Sequence, residues 1–249
     1  LIQWEDFRNN NALILLEEYR NRCLSFNDDI QGTGAVALAG VLSGLRVKGE
    51  KLAGQRIVIH GAGAAGYGIT LQIMDELSQF GLSDEEIKGS IAVLDSKGLV
   101  ISDRLEPDHY KQKLAWPRDL ARQYGLDVND PNLELVVANF KPTILIGSSG
   151  SPGAFHQQIV ASMLTHTERP IILPFSNRYG ESISSHGNCR LWHYILVVIF
   201  ISLGSSPMSD QPSPEEIFFT KGGLDQVRVS GLVDDALHGF NDGELFLEY

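Results

Sequence analysis

The sequence predicts an α/β protein whose core is a doubly wound parallel sheet preceded by a short N-terminal helical segment. Three patterns support this fold class: an apolar strand that runs into a glycine-rich turn, alternating strand and helix patterns beyond that turn, and two helix patterns ahead of it. Alternating strands and helices favour parallel strands joined by right-handed crossovers, because each helix returns the chain to the same end of the sheet.

Two helices are predicted in the N-terminal segment, residues 1–46. In residues 11–23 apolar side chains recur at helical spacing and the acidic side chains face water. A polar break at 25–29 follows, and residues 35–45 then carry Ala, Val, Leu and Gly on nearly every helical face. We expect this second helix to be buried, because a helix that is apolar all round needs cover on all sides.

A strand, a glycine-rich turn and a helix start follow one another in residues 57–66, IVIHGAGAAG. Gly61 permits a tight turn, Gly63 lets the backbone approach a pyrophosphate, and Gly66 lets the helix pack closely on the strand. The helix N-terminus offers unpaired N–H groups to an anion. We interpret this segment as the dinucleotide-binding fingerprint of a Rossmann-type domain, in preference to a purely structural turn. The predicted cofactor contacts here are Gly61, Gly63, Ala64, Ala65 and Gly66.

The next strand pattern ends at Asp95, whose carboxylate is placed to accept hydrogen bonds from ribose hydroxyls. Asp95 lies 29 positions beyond Gly66, whereas roughly 20 is usual, and we attribute the surplus to a turn inserted at 79–84. Ser96 and Lys97 follow, a small residue and a cation that would tolerate a 2′-phosphate. NAD is therefore the favoured cofactor, NADP is the alternative, and Ser96 is a further predicted contact.

The remaining patterns divide the chain into three predicted parts. Strands are expected at 57–60, 91–95, 143–147 and 171–175, with helices near 65–79, 117–124, 132–140 and 155–164. These elements belong to a cofactor-binding domain, residues 47–204, which follows the helical segment. Prolines, serines and acidic residues then mark a divergent tail, residues 205–249, typical of loosely packed or poorly ordered segments.

The bulk composition limits the function classes. A net charge of −11 without a basic stripe argues against a nucleic-acid partner. The longest apolar run, 194–201, predicts a buried strand, since a membrane span needs roughly 20 apolar residues. Two cysteines fit a reducing compartment. With no targeting segment visible, we expect a cytoplasmic protein, or one of the mitochondrial or another organelle matrix, without a membrane partner.

Two acidic pairs lie upstream of the glycine turn, Glu5-Asp6 and Asp28-Asp29, each flanked by aromatic or apolar residues. Such flanks suggest partial burial, and buried carboxylates are costly unless they are paired or bind a metal. Carboxylate oxygens select Mg²⁺ or Mn²⁺ over zinc. Helix N-capping is the alternative explanation for Asp28 or Asp29, and the residues by themselves leave both open.

At these acidic pairs the sequence resembles the malic enzyme family, over roughly residues 1–177. The resemblance implies that Glu5, Asp6 and Asp29 bind the divalent cation and that Asp28 lies near the catalytic lysine. It also implies that Asn177 contacts both the substrate and the nicotinamide. The segments that carry the resemblance are IQWEDFRNNNA at 2–12, FNDDIQGTGAVALAG at 26–40, GAGAAG at 61–66, LDSKGL at 94–99, KPTILIGSSGSPGAF at 141–155 and ERPIILPFSN at 168–177.

The activity implied by this resemblance is the oxidative decarboxylation of L-malate to pyruvate and CO₂ by a protein that is expected to form homo-oligomers. Hydride passes to the nicotinamide, and the metal acts as a Lewis acid on the developing carbonyl. The family's catalytic tyrosine and lysine lie in an N-terminal region without a match in this sequence, so we expect this chain to lack them.

Two further departures concern the second half of the chain. The family's Ser-Asn-Pro segment reads Ser176-Asn177-Arg178, and the sequence after residue 178 does not resemble the family. A non-catalytic dinucleotide-binding protein derived from a malic enzyme is therefore the alternative function. An amino-acid dehydrogenase ranks third, because its glycine-rich lysine segment is not visible.

Overall fold

The computed structural model describes residues 1–104, 110–127, 129, 131–149 and 154–175, together with the backbone of three short strands nearer the C-terminus. The elements, in chain order, are β1 (Ile2–Trp4), α1 (Asn9–Tyr19), β2 (Ser25–Asn27), a π-helical turn (Asp28–Gly32), α2 (Thr33–Lys48), β3 (Ile57–His60), α3 (Ala64–Gln79), α4 (Asp84–Ser90), β4 (Ile91–Asp95), β5 (Gly98–Leu99), α5 (Lys111–Leu114), α6 (Arg118–Gln123), α7 (Leu133–Phe140), β6 (Ile144–Gly147), α8 (Gln157–Leu164), β7 (Ile171–Pro174), β8 (Ile199–Phe200), β9 (Glu216–Phe219) and β10 (Val227–Ser230).

Six of these strands form one sheet in the order β5-β4-β3-β6-β7-β8. The four central strands are parallel, as the sequence predicts, whereas β5 and β8 pair antiparallel at the two edges. The chain leaves β3 for β4 on one side and later reaches β6 on the other. This reversal places a topological switch point at the carboxyl end of β3, where open α/β sheets bind their ligands.

Helices cover both faces of the sheet, which confirms the doubly wound architecture. Alternate side chains of β3 enter different cores: Ile57 and Ile59 pack with residues of α2 and α3, and Val58 packs with residues of α6, α7 and α8. Burial on both faces explains why the strand patterns are continuously apolar.

Residues 25–29 of the N-terminal segment, predicted as a polar break, form regular structure. β1 and β2 pair in parallel, with Trp4 opposite Asn27, and the break at 25–29 is therefore a strand followed by the π-helical turn. Helix α2 buries one face only, because Leu42 on the opposite face is 36% exposed. The prediction of burial on nearly every side was therefore wrong.

The surplus residues between the glycine turn and Asp95 also differ from the prediction. Besides the expected turn they contain a complete helix, α4, which leads directly into β4. Ser83 begins this helix with a capping box: its hydroxyl accepts from the Glu86 N–H, and the Glu86 carboxylate accepts from the Ser83 N–H.

Among the described residues, one helical stretch, Asp28–Lys48, is apolar and long enough to cross a membrane by length and composition alone. Its buried face packs on α3 in the domain core, which accounts for that composition. In the predicted tail, β9 and β10 pair antiparallel. The rest of the tail lies outside the described residues, so its predicted order and the predicted domain boundaries stay predictions.

Candidate functional site

The glycine-rich turn has no room for side chains at two of its three glycines. Gly61 has φ +130°, and a Cβ added there would lie 2.6 Å from the backbone of Ser148. A Cβ on Gly66 would lie 1.7 Å from the Gly61 carbonyl oxygen. The turn therefore brings helix α3 directly against the end of β3, and Ala64 and Ala65 begin that helix. The first turn of this helix therefore lies at the switch point.

A loop from β6 completes the turn from the opposite side of the switch point. The Ser148 hydroxyl donates to the Gly61 carbonyl at 3.1 Å, and the Ser149 hydroxyl lies 3.0 Å from Nδ1 of His60. Burial lowers the pKa of His60, and the charge of Glu134 opposes that shift only in part. Neutral imidazole is thus the favoured form between the two loops.

Asn9 is a residue of this site that the sequence analysis missed. Its side-chain Oδ1 accepts the N–H of Ala64 at 3.1 Å, and a Cβ on Gly63 would lie 3.2 Å from its amide nitrogen. Asn9 thus caps the fingerprint helix from 55 positions away in the chain. Its place just after the Glu5-Asp6 pair was the available signal, because that pair was already assigned to the site.

The two acidic pairs meet, because β1 and β2 run in parallel and each pair follows one of these strands. The N–H of Asp6, which has φ 60°, donates to Oδ2 of Asp29 at 2.9 Å. Asp28 lies over Gly32 inside the π-helical turn, where a Cβ would be 2.5 Å from its Oδ1. Glu5, Asp28 and Asp29 are half-buried and Asp6 is exposed.

The π-helical turn that contains Asp28 and Asp29 is held against helix α3. A Cβ on Gly68 of α3 would lie 1.9 Å from the carbonyl oxygen of Ile30, so the two backbones touch. The side chain of Asn27 fixes the turn by accepting the Ile30 N–H at 2.9 Å. The predicted acidic ligands and the predicted cofactor turn therefore belong to one packed unit.

The carboxylates do not form a ready metal site. Within the described part of the chain, no group of three or more His, Cys, Asp or Glu residues is arranged to hold a metal ion. One carboxylate oxygen of Asp29 accepts a hydrogen bond from the Asp6 backbone N–H. The donor chemistry suits Mg²⁺ or Mn²⁺, and the assignment of Glu5, Asp6 and Asp29 as the three ligands stays a prediction.

Asp95 lies at the end of β4, beside the end of β3, and is held by two cations. Its Oδ2 accepts from Nη2 of Arg104 and from Nζ of Lys111 at 3.0 Å, while Oδ1 accepts the Lys97 N–H at 2.9 Å. Burial alone would raise the pKa of Asp95, but the bonds from Arg104, the Lys97 N–H and Lys111 together lower it. Ser96 is exposed next to this cluster.

Asn177, the remaining predicted residue, lies outside the described residues. β7, which leads toward it, ends at Pro174 opposite Gly147, at the same sheet edge as the glycine turn. The predicted role of Asn177 in substrate and cofactor contact stays a prediction.

The fold and the position of the glycine turn define the class: a Rossmann-type dinucleotide-binding domain. The chain belongs to the malic enzyme family, because the family model described as "Malic enzyme, NAD binding domain" matches residues 30–193. The match extends past residue 178, where the sequence analysis expected the resemblance to end.

Individual relatives agree with this assignment. A malolactic enzyme from Leuconostoc mesenteroides is 43% identical over 180 residues, which are 71% of this chain and 32% of that protein. An NAD-dependent malic enzyme from Sodalis glossinidius is 42% identical over 177 residues, 71% of this chain and 31% of that protein. The chain thus spans about a third of the length of the curated relatives that it matches.

Solved structures agree on the fold. An NAD-dependent malic enzyme from Thermotoga maritima aligns with a TM-score of 0.55 at 21% identity, over 71% of this chain and 42% of that one. A malic enzyme from Pyrococcus horikoshii aligns with a TM-score of 0.53 at 24% identity, over 71% and 39%.

Proposed function

We propose that this chain is the cofactor-binding portion of a malic-enzyme-like oxidoreductase and that it binds NAD at the carboxyl edge of its sheet. The observation that carries this proposal is the turn between β3 and α3, where Gly61 and Gly66 leave space for backbone alone. That turn lies at the switch point of a domain matched by the malic enzyme NAD-binding family. The name of the Sodalis relative supports NAD.

The residues of the turn bind and orient the cofactor in this proposal. Backbone N–H groups at the start of α3 hold the pyrophosphate, because a helix N-terminus carries unpaired donors and a positive partial charge. Asn9 accepts the Ala64 N–H and so fixes the start of the helix, which leaves the N–H groups that follow for the pyrophosphate. Asp95 faces the adenosine ribose. The bound nicotinamide supplies hydride acceptance, and the protein supplies position.

The proposed reaction is the conversion of L-malate and NAD⁺ into pyruvate, CO₂ and NADH. Malate gives hydride from C2 as its hydroxyl loses a proton, the bond between C3 and the departing carboxylate breaks, and C3 then takes up a proton. Asp28 is the proposed carboxylate beside the position of the family's catalytic lysine, which this chain is expected to lack, and Asn177 is the proposed substrate contact. The names of the relatives, malic and malolactic enzymes, point to malate.

Dependence on Mg²⁺ or Mn²⁺ is part of the proposal and rests on the adjacency of the two acidic pairs. It requires the carboxylates of Glu5, Asp6 and Asp29 to turn toward a common point. Mn²⁺ titration followed by electron paramagnetic resonance tests this directly. Asp29→Asn should weaken Mn²⁺ binding at least about tenfold, whereas Asp75→Asn, an exposed acid on α3, should leave it unchanged. Equal curves for both variants would exclude this site.

Cofactor binding is tested by titrating the 249-residue chain with NADH and following its fluorescence. Saturable binding to one site is expected, and no binding up to about 1 mM would refute the proposal. Malate turnover is measured in the same samples with Mn²⁺ present. Pyruvate formation would support the oxidoreductase and contradict the expectation that turnover needs a catalytic tyrosine and lysine that this chain lacks. Lactate would favour the reaction that the malolactic relative's name indicates.

A non-catalytic dinucleotide-binding protein is the second proposed function, favoured by the arrangement of the tyrosines. Tyr67 bonds Lys113 at 3.3 Å and packs on Tyr110, next to the Asp95 cluster, and Tyr19 packs on Trp4. Among the described residues, this Tyr–Lys pair lies at the ribose end of the proposed site and is therefore not a proposed acid–base pair. NADH binding without malate turnover by the chain would support this second function.

The wider assignments are proposals as well. A net charge of −11 supports the absence of a nucleic-acid partner. We propose a cytoplasmic or organelle-matrix protein without a membrane partner, which forms homo-oligomers. Light scattering coupled to size-exclusion chromatography tests the oligomeric state, and a mass equal to one chain would refute that part.

A further inference from the structure

His60 joins the glycine turn to the loop that follows β6. Its carbonyl oxygen accepts the Ser148 N–H at 2.9 Å, and its Nδ1 lies 3.0 Å from the Ser149 hydroxyl. The Ser148 hydroxyl donates to the Gly61 carbonyl at 3.1 Å. These bonds hold the loop against the turn, and the bond to the imidazole depends on a group that titrates near neutral pH.

The loop forms the second wall of the proposed cofactor crevice. A Cβ on Gly61 would lie 2.6 Å from the Ser148 carbonyl carbon and from the Ser149 nitrogen, so the loop and the turn are in backbone contact. Both follow the carboxyl ends of neighbouring parallel strands, since His60 pairs with Gly147. Open α/β sheets bind their ligands in a crevice of this kind. A displaced loop would therefore change the space left for the dinucleotide.

The imidazole of His60 lies on the sheet face opposite helix α3. Side chains alternate along β3, and Ile59 packs with residues of α2 and α3, so His60 faces the other side. There its ring lies against Phe155, with the ring centroids 6.2 Å apart. A proton on the imidazole would thus add charge away from the helix N-terminus that is proposed to hold the pyrophosphate. Its effect on cofactor binding would pass through the loop.

The surroundings of His60 favour the neutral imidazole. Burial lowers its pKa, and the charge of Glu134 raises it by less. The Glu134 carboxylate is itself 3.0 Å from Nε2 of His156, and Asp95 accepts hydrogen bonds from two cations. The titratable groups on the elements packed around His60 are, among the described residues, Glu134 on α7, His156 before α8 and Asp95 at the end of β4.

We propose that the hydrogen bond from Ser149 to neutral His60 positions the loop for the dinucleotide, and that protonation of His60 releases the loop and weakens NAD binding. The inference rests on the proposed dinucleotide-binding function and adds a pH control of that site. In the neutral form Nδ1 accepts the Ser149 O–H and the ring proton is on Nε2. The imidazolium carries a proton on both nitrogens, so it offers that hydroxyl no acceptor. His60 is therefore a positioning residue, which acts through Ser149.

The first measurement is the protonation state of His60 by proton–nitrogen NMR of the full chain. At about pH 8 the ring proton should be on Nε2. The midpoint of the titration should lie below pH 6.5, because burial lowers the pKa of His60. A neutral ring protonated on Nδ1 would overturn the inference, because this nitrogen would then donate to Ser149 in both forms.

The second measurement is NAD⁺ affinity by isothermal titration calorimetry on both sides of that midpoint. The affinity should fall about fivefold as His60 gains its proton, which is the loss expected for one hydrogen bond. His166→Gln is the matched control, because His166 bonds the Pro142 carbonyl at 2.8 Å, before β6 begins, and should keep the wild-type pH profile. Thermal melts at each pH verify that every protein is folded. A constant affinity through the midpoint would overturn this inference and leave the proposed function intact.

Two variants separate the hydrogen bond from the charge. His60→Asn places an amide oxygen near the position of Nδ1, and an amide does not titrate, so NAD⁺ affinity should stay within about twofold of the wild-type value at about pH 8 and should not fall in acid. Ser149→Ala removes the donor, so affinity should be about fivefold lower and independent of pH. A pH-dependent loss that both variants retain would overturn the inference. Absence of NAD⁺ binding by the wild type at every pH would refute the proposed function and this inference together.

Discussion

The two ends of the proposed cofactor site depend on different interactions, steric at one end and electrostatic at the other. At the glycine turn, backbone atoms approach so closely that a single methyl group would collide with the Gly61 carbonyl. At the Asp95 end, long charged side chains meet at the end of β4. Steric contacts change abruptly with any added atom, whereas electrostatic contacts change by degrees. The glycine end should thus decide whether a dinucleotide binds, and the Asp95 end which one.

Gly66→Ala, at the glycine end, should have the largest effect on stability and on NADH affinity. The new Cβ would lie 1.7 Å from the Gly61 oxygen, so α3 must move. We expect about 3 kcal/mol or more of lost stability and an NADH affinity at least about 100-fold lower. Urea unfolding and fluorescence titration measure the two effects.

Gly89→Ala in α4 is the matched control for that substitution. Apart from its chain neighbours and the backbone of its own helix, no described atom lies within 4 Å of a Cβ at Gly89. Alanine should there gain about 0.5–1 kcal/mol of stability, because glycine is unfavourable inside a helix. If Gly66→Ala behaved like Gly89→Ala, the steric account of the glycine end would be wrong.

Asn9→Ala tests a polar contact at the glycine end. The Ala64 N–H would lose its acceptor at 3.1 Å, so we expect about 1 kcal/mol of lost stability, as for other helix caps, and about tenfold weaker NADH binding. Asn10→Ala, the neighbouring substitution, should leave both quantities unchanged. An unchanged NADH affinity in Asn9→Ala would remove Asn9 from the proposed site.

A pH series tests the link between the two loops at the switch point. Burial lowers the pKa of His60 below 6.5, so the unfolded chain binds a proton that the folded chain refuses. The contribution of His60 to the free energy of unfolding is therefore fully present above pH 6.5. It falls as the pH drops below that value, by at most about 1.4 kcal/mol per pH unit. His60→Gln should flatten the unfolding curve between about pH 7 and 5.5. A slope that the variant shares with the wild type would assign the effect to other groups.

Ser83→Ala should have the smallest effect on the site. Loss of the capping box of α4 should cost about 1 kcal/mol of stability, because the Glu86 N–H loses its acceptor. NADH affinity should stay within about twofold of the wild type, because α4 lies outside the glycine turn and the Asp95 cluster. A larger loss of affinity would show that the inserted helix supports the site.

Local patterns in the sequence were sufficient to predict the central sheet. β3 and β4 have the predicted bounds, and β6 and β7 differ by one residue at one end, because a fully buried parallel strand leaves a short apolar run. Helix α4 was missed although Ser83 and Glu86 form a readable capping box; its short length hid it.

Contacts between distant segments were not predictable in the same way. Asn9 and Ala64 are 55 positions apart, and neither residue type indicates the other. The bonds of Asp95 to Arg104 and Lys111 depend on how the chain folds back after β5, which no periodicity describes. The acidic pairs were expected to converge, but the sequence contained no information on how their oxygens would be oriented.

The antiparallel strand β5 has a consequence for behaviour at high concentration. Apolar parallel strands such as β4 would readily pair with a neighbouring molecule if one of them ended the sheet. β5 pairs with Leu94 and Asp95 at that border and is only two residues long. The Val100 N–H and the Trp116 indole N–H donate to carbonyls earlier in β4, so few of its peptide groups stay open to another chain. Shielding of this kind favours resistance to aggregation through strand addition.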